Sequence, residues 1–253
     1  MFRDQKIVVV MPAYNAARTL QRTYDEVMAQ EIVDEVIVVD DGSHDETVAI
    51  ALTLPRTRVE IHPRNLGYGA NQKTAYRLAL DAGADIVIMV HPDYQYTPRL
   101  IPAMASLIGN GLYPCVLGSR ILGGHARRGG MPLWRYVGNR ILTLIENVLL
   151  GSKLSEFHTG YRAFSAELLG RLPLERNSND FVFDNQILAQ ILWAGDMIAE
   201  ISCPTSYFEE ASGISFRRSI VYGTGCLWTG LTYRLAKWGL VSSPLFPRRP
   251  ARV

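Results

Sequence analysis

The chain of 253 residues predicts an α/β protein, a doubly wound and mostly parallel sheet with helices on both faces. Short, uniformly apolar and β-branched runs recur along it. Longer stretches with helical spacing alternate with them, and several runs stop abruptly in acidic or polar residues. A run of this kind, bounded by turn chemistry, reads as a strand buried on both faces. Strand–helix alternation lays such strands side by side in one sheet.

Residues 6–11 form the first strand, and Pro12-Ala13-Tyr14-Asn15 the turn after it. Residues 17–29 have helical spacing, with Leu20, Tyr24, Val27 and Met28 on one side. The second strand is 35–39. Ser43 or Asp45 can cap a helix that runs to about residue 54. Residues 58–62 form a third strand, and Asn65-Leu66-Gly67-Tyr68-Gly69 a turn feeding a helix that ends near Gly83. Residues 85–90 are a strand, 98–108 a helix and 114–118 a fifth strand.

Beyond Arg120 the character changes. Residues 122–131 hold four glycines with His125, Arg127 and Arg128, and read as a mobile basic loop. Residues 133–150 form an amphipathic helix. Its apolar face (Leu133, Val137, Ile141, Leu144, Ile145, Val148) is expected to lie on the core, with Arg135, Asn139, Arg140 and Glu146 at polar positions. A short strand at 160–164, a helix at 184–194 that Asp184 could cap, and a last strand at 197–203 follow. The segment 220–240 is nominally long enough for a bilayer. Arg234, Lys237 and its glycines favour instead an interfacial helix with Leu227, Leu231, Leu235 and Trp238 on one face, or a plain core or dimer helix. The basic, proline-containing end, 244–253, reads as disordered. The organisation expected is therefore a main α/β domain over 1–216 and an amphipathic helix with a basic tail over 217–253.

Hydrophobic content of 48% with 20% charged residues suffices for a full core. The net charge of +2 does not point to nucleic acid as a bulk partner, and none is expected. Cys115, Cys203 and Cys226 are widely spaced and make neither a metal-ligand pattern nor a disulfide framework. The expected compartment is reducing and cytoplasmic. The first residues pass directly into a strand and do not read as a signal peptide.

Carboxylates at the C-terminal ends of parallel strands face the crevice where open α/β sheets bind ligands. Asp40-Asp41 ends the second strand. The pair could satisfy a ribose diol, a base N–H or a cation, or could simply open the turn Asp41-Gly42-Ser43. His91-Pro92-Asp93-Tyr94-Gln95 ends the fourth. Magnesium and manganese take oxygen ligands, which Asp93 and Gln95 supply. A nitrogen from His91 would suit manganese better, and the alternative for His91 is a hydrogen-bonded strand-end histidine. Arg120, Arg127, Arg128, Arg135 and Arg140 form a candidate anion patch or a solvated face. Glu156, Asp184 and Glu209-Glu210 are the remaining acidic candidates. Asp184 is either a helix cap or a base that could deprotonate an acceptor hydroxyl. No Ser/His/Asp arrangement, Walker loop, GxGxxG turn or cysteine-based metal motif is present, which counts against hydrolases, nucleotide kinases and standard dehydrogenases.

In this order the motifs resemble the family-2 glycosyltransferases of GT-A fold, closest to the dolichol-phosphate mannose synthase-like branch, over roughly residues 6–216. Pro12, Tyr14 and Asn15 match the family's opening turn against the nucleotide base. Asp40 to Ser43 match its Asp-Asp-Gly-Ser, and Asn65-Leu66-Gly67 its Asn-x-Gly turn. His91 to Gln95 fall on its Asp-x-Asp-x-Gln metal motif, Gly118 to Arg120 on Gly-Ser-Arg, and Glu156 to Arg162 on Asp-x-Thr-Ser-Gly-Phe-Arg. Three departures stand out. His91 replaces the first metal Asp and Glu156 replaces an Asp. Glu210-Ala211-Ser212-Gly213-Ile214-Ser215-Phe216 lacks two cations of Arg-x-x-Gly-x-Ser-Lys, which Arg217 and Arg218 could supply in a shifted register.

The resemblance implies an inverting transferase with a nucleotide-diphosphate sugar donor. Asp184, Asp93 and Arg120 would be catalytic, and Pro12, Tyr14, Asn15, Asp40, Asp41, Asn65 and Gly67 would bind the nucleotide. Arg127, Arg128, Arg140 and Glu156 would meet the acceptor or a phosphate. Asp93, Gln95 and His91 would hold Mg or Mn. The expected acceptor is a polyprenyl phosphate, reached at the cytoplasmic face of a membrane by peripheral contact. A glycan or glycolipid hydroxyl, a catalytically silent sugar-nucleotide binder and a nucleotidyltransferase are the alternatives, and a homo-oligomer is compatible with the sequence.

Overall fold

The structure is a computed structural model that describes residues 3–124, 126–205 and 216–247. His125, Glu209-Glu210, the segment 210–215, the side chains of Phe216 and Arg217, and residues 248–253 of the tail lie outside the described residues.

Seven strands form one sheet: β1 Ile7–Ala13, β2 Glu35–Asp40, β3 Thr57–Ile61, β4 Ile86–Met89, β5 Cys115–Ser119, β6 Arg162–Ser165 and β7 Ile198–Ser202. Their order is β3-β2-β1-β4-β6-β5-β7. β1 to β4 pair in parallel, as do β5 and β7, while β6 runs antiparallel between β4 and β5. The fifth strand is therefore not the neighbour of the fourth. Hydrophobic runs mark strands but carry no record of which edge a later strand will join. The insertion matters for function, because Met89 at the end of β4 pairs with Arg162 at the start of β6. The chain leading into β6 thus arrives where β4 releases His91.

Among the described residues eight α-helices flank the sheet: α1 Leu20–Met28, α2 Thr47–Thr53, α3 Tyr68–Asp81, α4 Ile101–Gly109, α5 Leu133–Leu150, α6 Ala166–Arg171, α7 Phe183–Ala194 and α8 Phe216–Lys237. Successive strand residues point to opposite faces, so each face has its own core. Val8, Val10, Ile37, Val39, Val87 and Met89 pack with residues of α3 and α7. Ile7, Val9, Met11, Val36, Val38 and Ile88 pack with residues of α1 and α4.

α5 keeps its expected bounds but not its expected orientation. Ile141 is 56% exposed, Leu144 65% and Val148 67%, whereas Thr143, Glu146 and Leu150 are buried. Hydrogen bonding accounts for this inversion. Asn139 Nδ2 donates to Glu156 Oε1 (2.8 Å), Asn147 Nδ2 to the Leu154 carbonyl (2.7 Å), and Asn185 Nδ2 to Glu146. The polar flank faces inward because its partners are there. α8 packs on α5 and α7 and sends Tyr233 into the core beside Phe246. Its outer side carries Val221, Trp228, Leu231 and Trp238, while Leu227 and Leu235 are half-buried. The stripe read from the sequence is thus rotated toward Val221 and Trp228. Among the described residues no helix is long and apolar enough to cross a membrane.

Candidate active site

The C-terminal ends of β1, β2 and β4 open on a cleft of about 1060 Å³ that Pro12, Tyr14, Asn15, Asp41, Asn65 and Gly67 line on one side. Asn15 adopts φ 50°, a left-handed conformation that Asn tolerates. Its amide donates to Ser43 Oγ (2.8 Å) and its Oδ1 accepts from the His44 amide (2.9 Å), joining the two strand-end turns. Asp41 accepts from His62 Nδ1 (2.7 Å), the Leu66 amide (2.9 Å) and the Gly67 amide (3.0 Å). Gly67 has φ 103°, and a Cβ there would stand 2.4 Å from the Asn179 carbonyl, so only glycine fits.

Of the two roles open to Asp40, the structure shows the turn. Asp40 is buried, it is not part of the cleft wall, and its Oδ2 accepts from the amides of Gly42 (3.1 Å) and Ser43 (2.9 Å). A short Asp side chain can close a turn on its own backbone, and Oδ2 does so here, while Oδ1 is buried without a hydrogen-bond partner.

His91, Asp93 and Gln95 line the same cleft. Tyr94 between them has φ 56°, rare for an aromatic residue and a local strain. Its hydroxyl donates to Glu26 Oε2 (2.7 Å) and Arg22 lies over its ring. Gly160 at the mouth of β6 permits close approach: a Cβ there would meet His91 Nε2 at 2.2 Å. The Tyr68 hydroxyl lies 3.0 Å from both His91 Nε2 and Asp184 Oδ2. Burial first, then the charge of Asp184, pushes the Tyr68 phenol well above its ordinary range. The hydroxyl therefore keeps its proton, donates a hydrogen bond to the carboxylate, and accepts one from Nε2–H. That assignment leaves the lone pair of a neutral His91 on Nδ1.

Asp184 lies in the first turn of α7 but makes no cap; the residue before the helix is Val182, without a side-chain cap. Its carboxylate takes Gln72 Nε2 at 2.8 Å, besides Tyr68, and Arg162 Nη1 stands 3.4 Å away. Arg162 is fully buried and donates to the carbonyls of Thr159, Asp184 and Phe157. Asp184 is thus fixed in the cleft wall.

Arg120 also lines the cleft. Glu156 is fully buried beneath it, accepting from the Arg120 amide (2.9 Å) and Nε (2.8 Å) and from Nη2. Glu156 is therefore not part of the cleft wall; it orients the arginine that is. Arg127, Arg128 and Arg140 likewise lie outside the cleft wall. Ala126 and Met131 turn inward against Ile121, which sends the two loop arginines out to solvent. Arg140 donates to the Ser155 carbonyl (3.0 Å). The cations of the wall besides Arg120 are Arg18, Arg135 and Arg218. Arg18 had no signal beyond being a lone arginine near a strand-end turn. Tyr68 sat inside a turn already singled out, and His158 and Tyr222 entered through contacts between segments far apart in sequence.

The glycosyl transferase family 2 model matches residues 8–172. A UDP-N-acetylglucosamine–dolichyl-phosphate N-acetylglucosaminyltransferase of Methanococcus voltae is 30% identical over 182 residues, 66% of this chain and 72% of that protein. A polyprenol monophosphomannose synthase of Mycolicibacterium smegmatis is 24% identical over 93% of this chain and 88% of its own. Glucosyl-3-phosphoglycerate synthase from Mycobacterium tuberculosis, crystallised with Mn2+, UDP and glucosyl-3-phosphoglycerate, superposes with a TM-score of 0.67 at 20% identity, covering 95% of this chain and 82% of that one. This likeness shows a shared GT-A-like fold with a mixed seven-stranded sheet. The family match runs from β1 past the end of α6 and takes in the strand ends that build the cleft, so this chain belongs to glycosyl transferase family 2.

Proposed function

We propose that the chain transfers a hexosyl group from a nucleotide-diphosphate sugar to the phosphate of a polyprenyl phosphate, with inversion, while resting on a membrane surface. One observation carries the choice of acceptor. The helices that wall the cleft with Arg135 and Arg218 are α5 and α8, and most of their exposed side chains are apolar. A cationic wall suits a phosphate, and an apolar flank beside it suits the lipid that carries the phosphate. The Methanococcus voltae and Mycolicibacterium smegmatis relatives are named for acceptors of this class. Residues 1–216 would be the catalytic unit and 217–253 its attachment element.

The donor set at the end of β4 fits a hard divalent cation. Asp93 supplies a carboxylate, Gln95 a carbonyl oxygen and His91 the Nδ1 lone pair. Bound there, Mg or Mn would supply Lewis acidity to the departing diphosphate. The protein's own part is positional. The Tyr14 and Asn15 turn and the Asp41-held Gly67 turn shape the nucleotide end, and Arg120, Arg135 and Arg218 supply positive charge along the wall. A phosphate monoester with a second pKa of about 6 is mostly dianionic at neutral pH, so such an acceptor needs no general base. Asp184 would then place the sugar.

Asp184 also sustains a second reading, transfer to a hydroxyl with Asp184 as base. Incubating UDP- and GDP-sugars with a lipid-phosphate extract, with and without manganese, and reading products by mass spectrometry tests both. A glycosyl lipid phosphate lost in Asp93→Ala is the expected result. A product on a hydroxyl acceptor alone would overturn the first reading, and nucleotide binding without any turnover would overturn both.

A further inference from the structure

Where His158 lines the cleft, three segments bring together a carboxylate, an imidazole and a thiol. Glu146 comes from α5, His158 from the loop before β6 and Cys226 from α8. Their ligand atoms all lie within 4.8 Å of one another. Glu146 and Cys226 are fully buried, and the His158 side chain is 9% exposed. Glu146 Oε2 and His158 Nε2 stand 3.1 Å apart, within ion-pair distance, yet neither atom makes a well-formed hydrogen bond. A buried carboxylate oxygen and a buried ring nitrogen that meet without an aligned hydrogen bond are costly in a protein interior.

We propose that Glu146, His158 and Cys226 bind a zinc-class divalent ion, at a site separate from the cation site at Asp93. The set matches the N, S and O donors that zinc takes. Ligands about 2.0–2.3 Å from a tetrahedral zinc stand roughly 3.3–3.8 Å from one another. The observed spacing is reached from there by small side-chain rotations. The supporting contacts are those of a metal centre. The Tyr222 hydroxyl lies 2.8 Å from His158 Nδ1, where it can accept from Nδ1–H and leave the Nε2 lone pair for the ion. Asn185 Nδ2 donates to Glu146 Oε1, which leaves Oε2 as the ligand oxygen. Groups of this kind orient metal ligands.

Binding replaces the Cys226 thiol proton, which leaves to solvent, so affinity rises with pH. Burial, and then the neighbouring Glu146 charge, keep the metal-free thiol protonated. The ion ties α8 to α5 and to the chain entering β6, and so holds the two helices that wall the cleft. Cysteine spacing could not reveal it, because each ligand comes from a different element.

The test uses the full chain, loaded with zinc, desalted, and assayed by elemental mass spectrometry and by cobalt exchange. The expected result is about one retained zinc per chain and a thiolate-to-cobalt charge-transfer band. Both should persist in Asp93→Asn and disappear in Cys226→Ser and in His158→Gln, and zinc should raise the thermal midpoint of the parent but not of those two variants. A folded parent that retains no zinc and gives no band overturns the proposal, as does a band that survives Cys226→Ser. Zinc lost in Asp93→Asn but kept in Cys226→Ser also overturns it, since the ion would then belong to the donor cleft. Because the readouts are metal content and spectra, the result is independent of the acceptor reading.

Discussion

Glu156 holds Arg120 from beneath, its fully buried carboxylate receiving the arginine's amide at 2.9 Å and its Nε at 2.8 Å. Burial alone would raise the Glu156 carboxyl, but the charge and hydrogen bonds of Arg120 outweigh it and hold the group below the ordinary carboxylate range. A depressed carboxyl contributes stability that is fully present above its unfolded pKa, about 4.3. That contribution is lost as pH falls through the lower folded value. Glu156→Gln should therefore cost about 3 kcal/mol at neutral pH and flatten the acid limb of stability. Urea midpoints measured from neutral pH downward check this. An acid limb as steep as that of the parent would show that the pair does not set it.

His91 stands where the family motif has a carboxylate, and its Nε2 is engaged by Tyr68. With Nδ1 as the remaining donor, the proposed cation site offers one carboxylate and a nitrogen, which favours manganese over magnesium. His91→Asp restores an oxygen donor. The ratio of manganese- to magnesium-supported turnover should fall several-fold, with magnesium activity rising. An unchanged ratio would mean that His91 is only a strand-end residue stacked on Tyr68.

Asp184→Asn preserves the shape that Gln72 and Tyr68 hold while removing the charge near Arg162. General base catalysis is worth about 10²–10⁴-fold. If the acceptor is a phosphate dianion that contribution is not needed, and kcat should fall by no more than about tenfold. Steady-state kinetics on the lipid-phosphate acceptor decide the matter, and a loss of a hundredfold or more would move Asp184 into the role of base.

The strands and most helices were legible because their apolar periodicity is local. Residues 133–150 emerged with the right bounds, and the strand runs were each found within a few residues. What the sequence could not convey is direction. Asp40 and Asp41 look alike in a string, but one closes its own turn while the other braces the Gly67 turn and lines the cleft. Arg127 and Arg128 are as basic as Arg135, yet the inward packing of Ala126 and Met131 aims them away. The orientation of α5 inverted because Asn139, Glu146 and Asn147 find partners in segments that follow the helix. Helical periodicity states which residues share a face and is silent on which face is covered.

That inversion makes the membrane reading testable without disturbing the fold. Ile141, Leu144 and Val148 form one turn-to-turn exposed stripe on α5, and Trp228 and Leu231 are exposed on α8. Substituting exposed residues normally changes stability by less than about 0.5 kcal/mol, so Ile141→Asp/Leu144→Asp/Val148→Asp should unfold where the parent does. Each buried apolar group contributes to interfacial binding in proportion to its area, and a carboxylate opposes it, most of all at an anionic surface. The triple variant should lose most of its co-sedimentation with anionic vesicles. Its KM for a long-chain lipid phosphate should rise at least tenfold, while turnover on a short, water-soluble prenyl phosphate stays unchanged. Truncating the chain after Arg218 would be a poorer test, since it removes Tyr233 and Phe246 from the core. Equal sedimentation of parent and triple variant, with both folded, would detach the α5 stripe from any role at the bilayer.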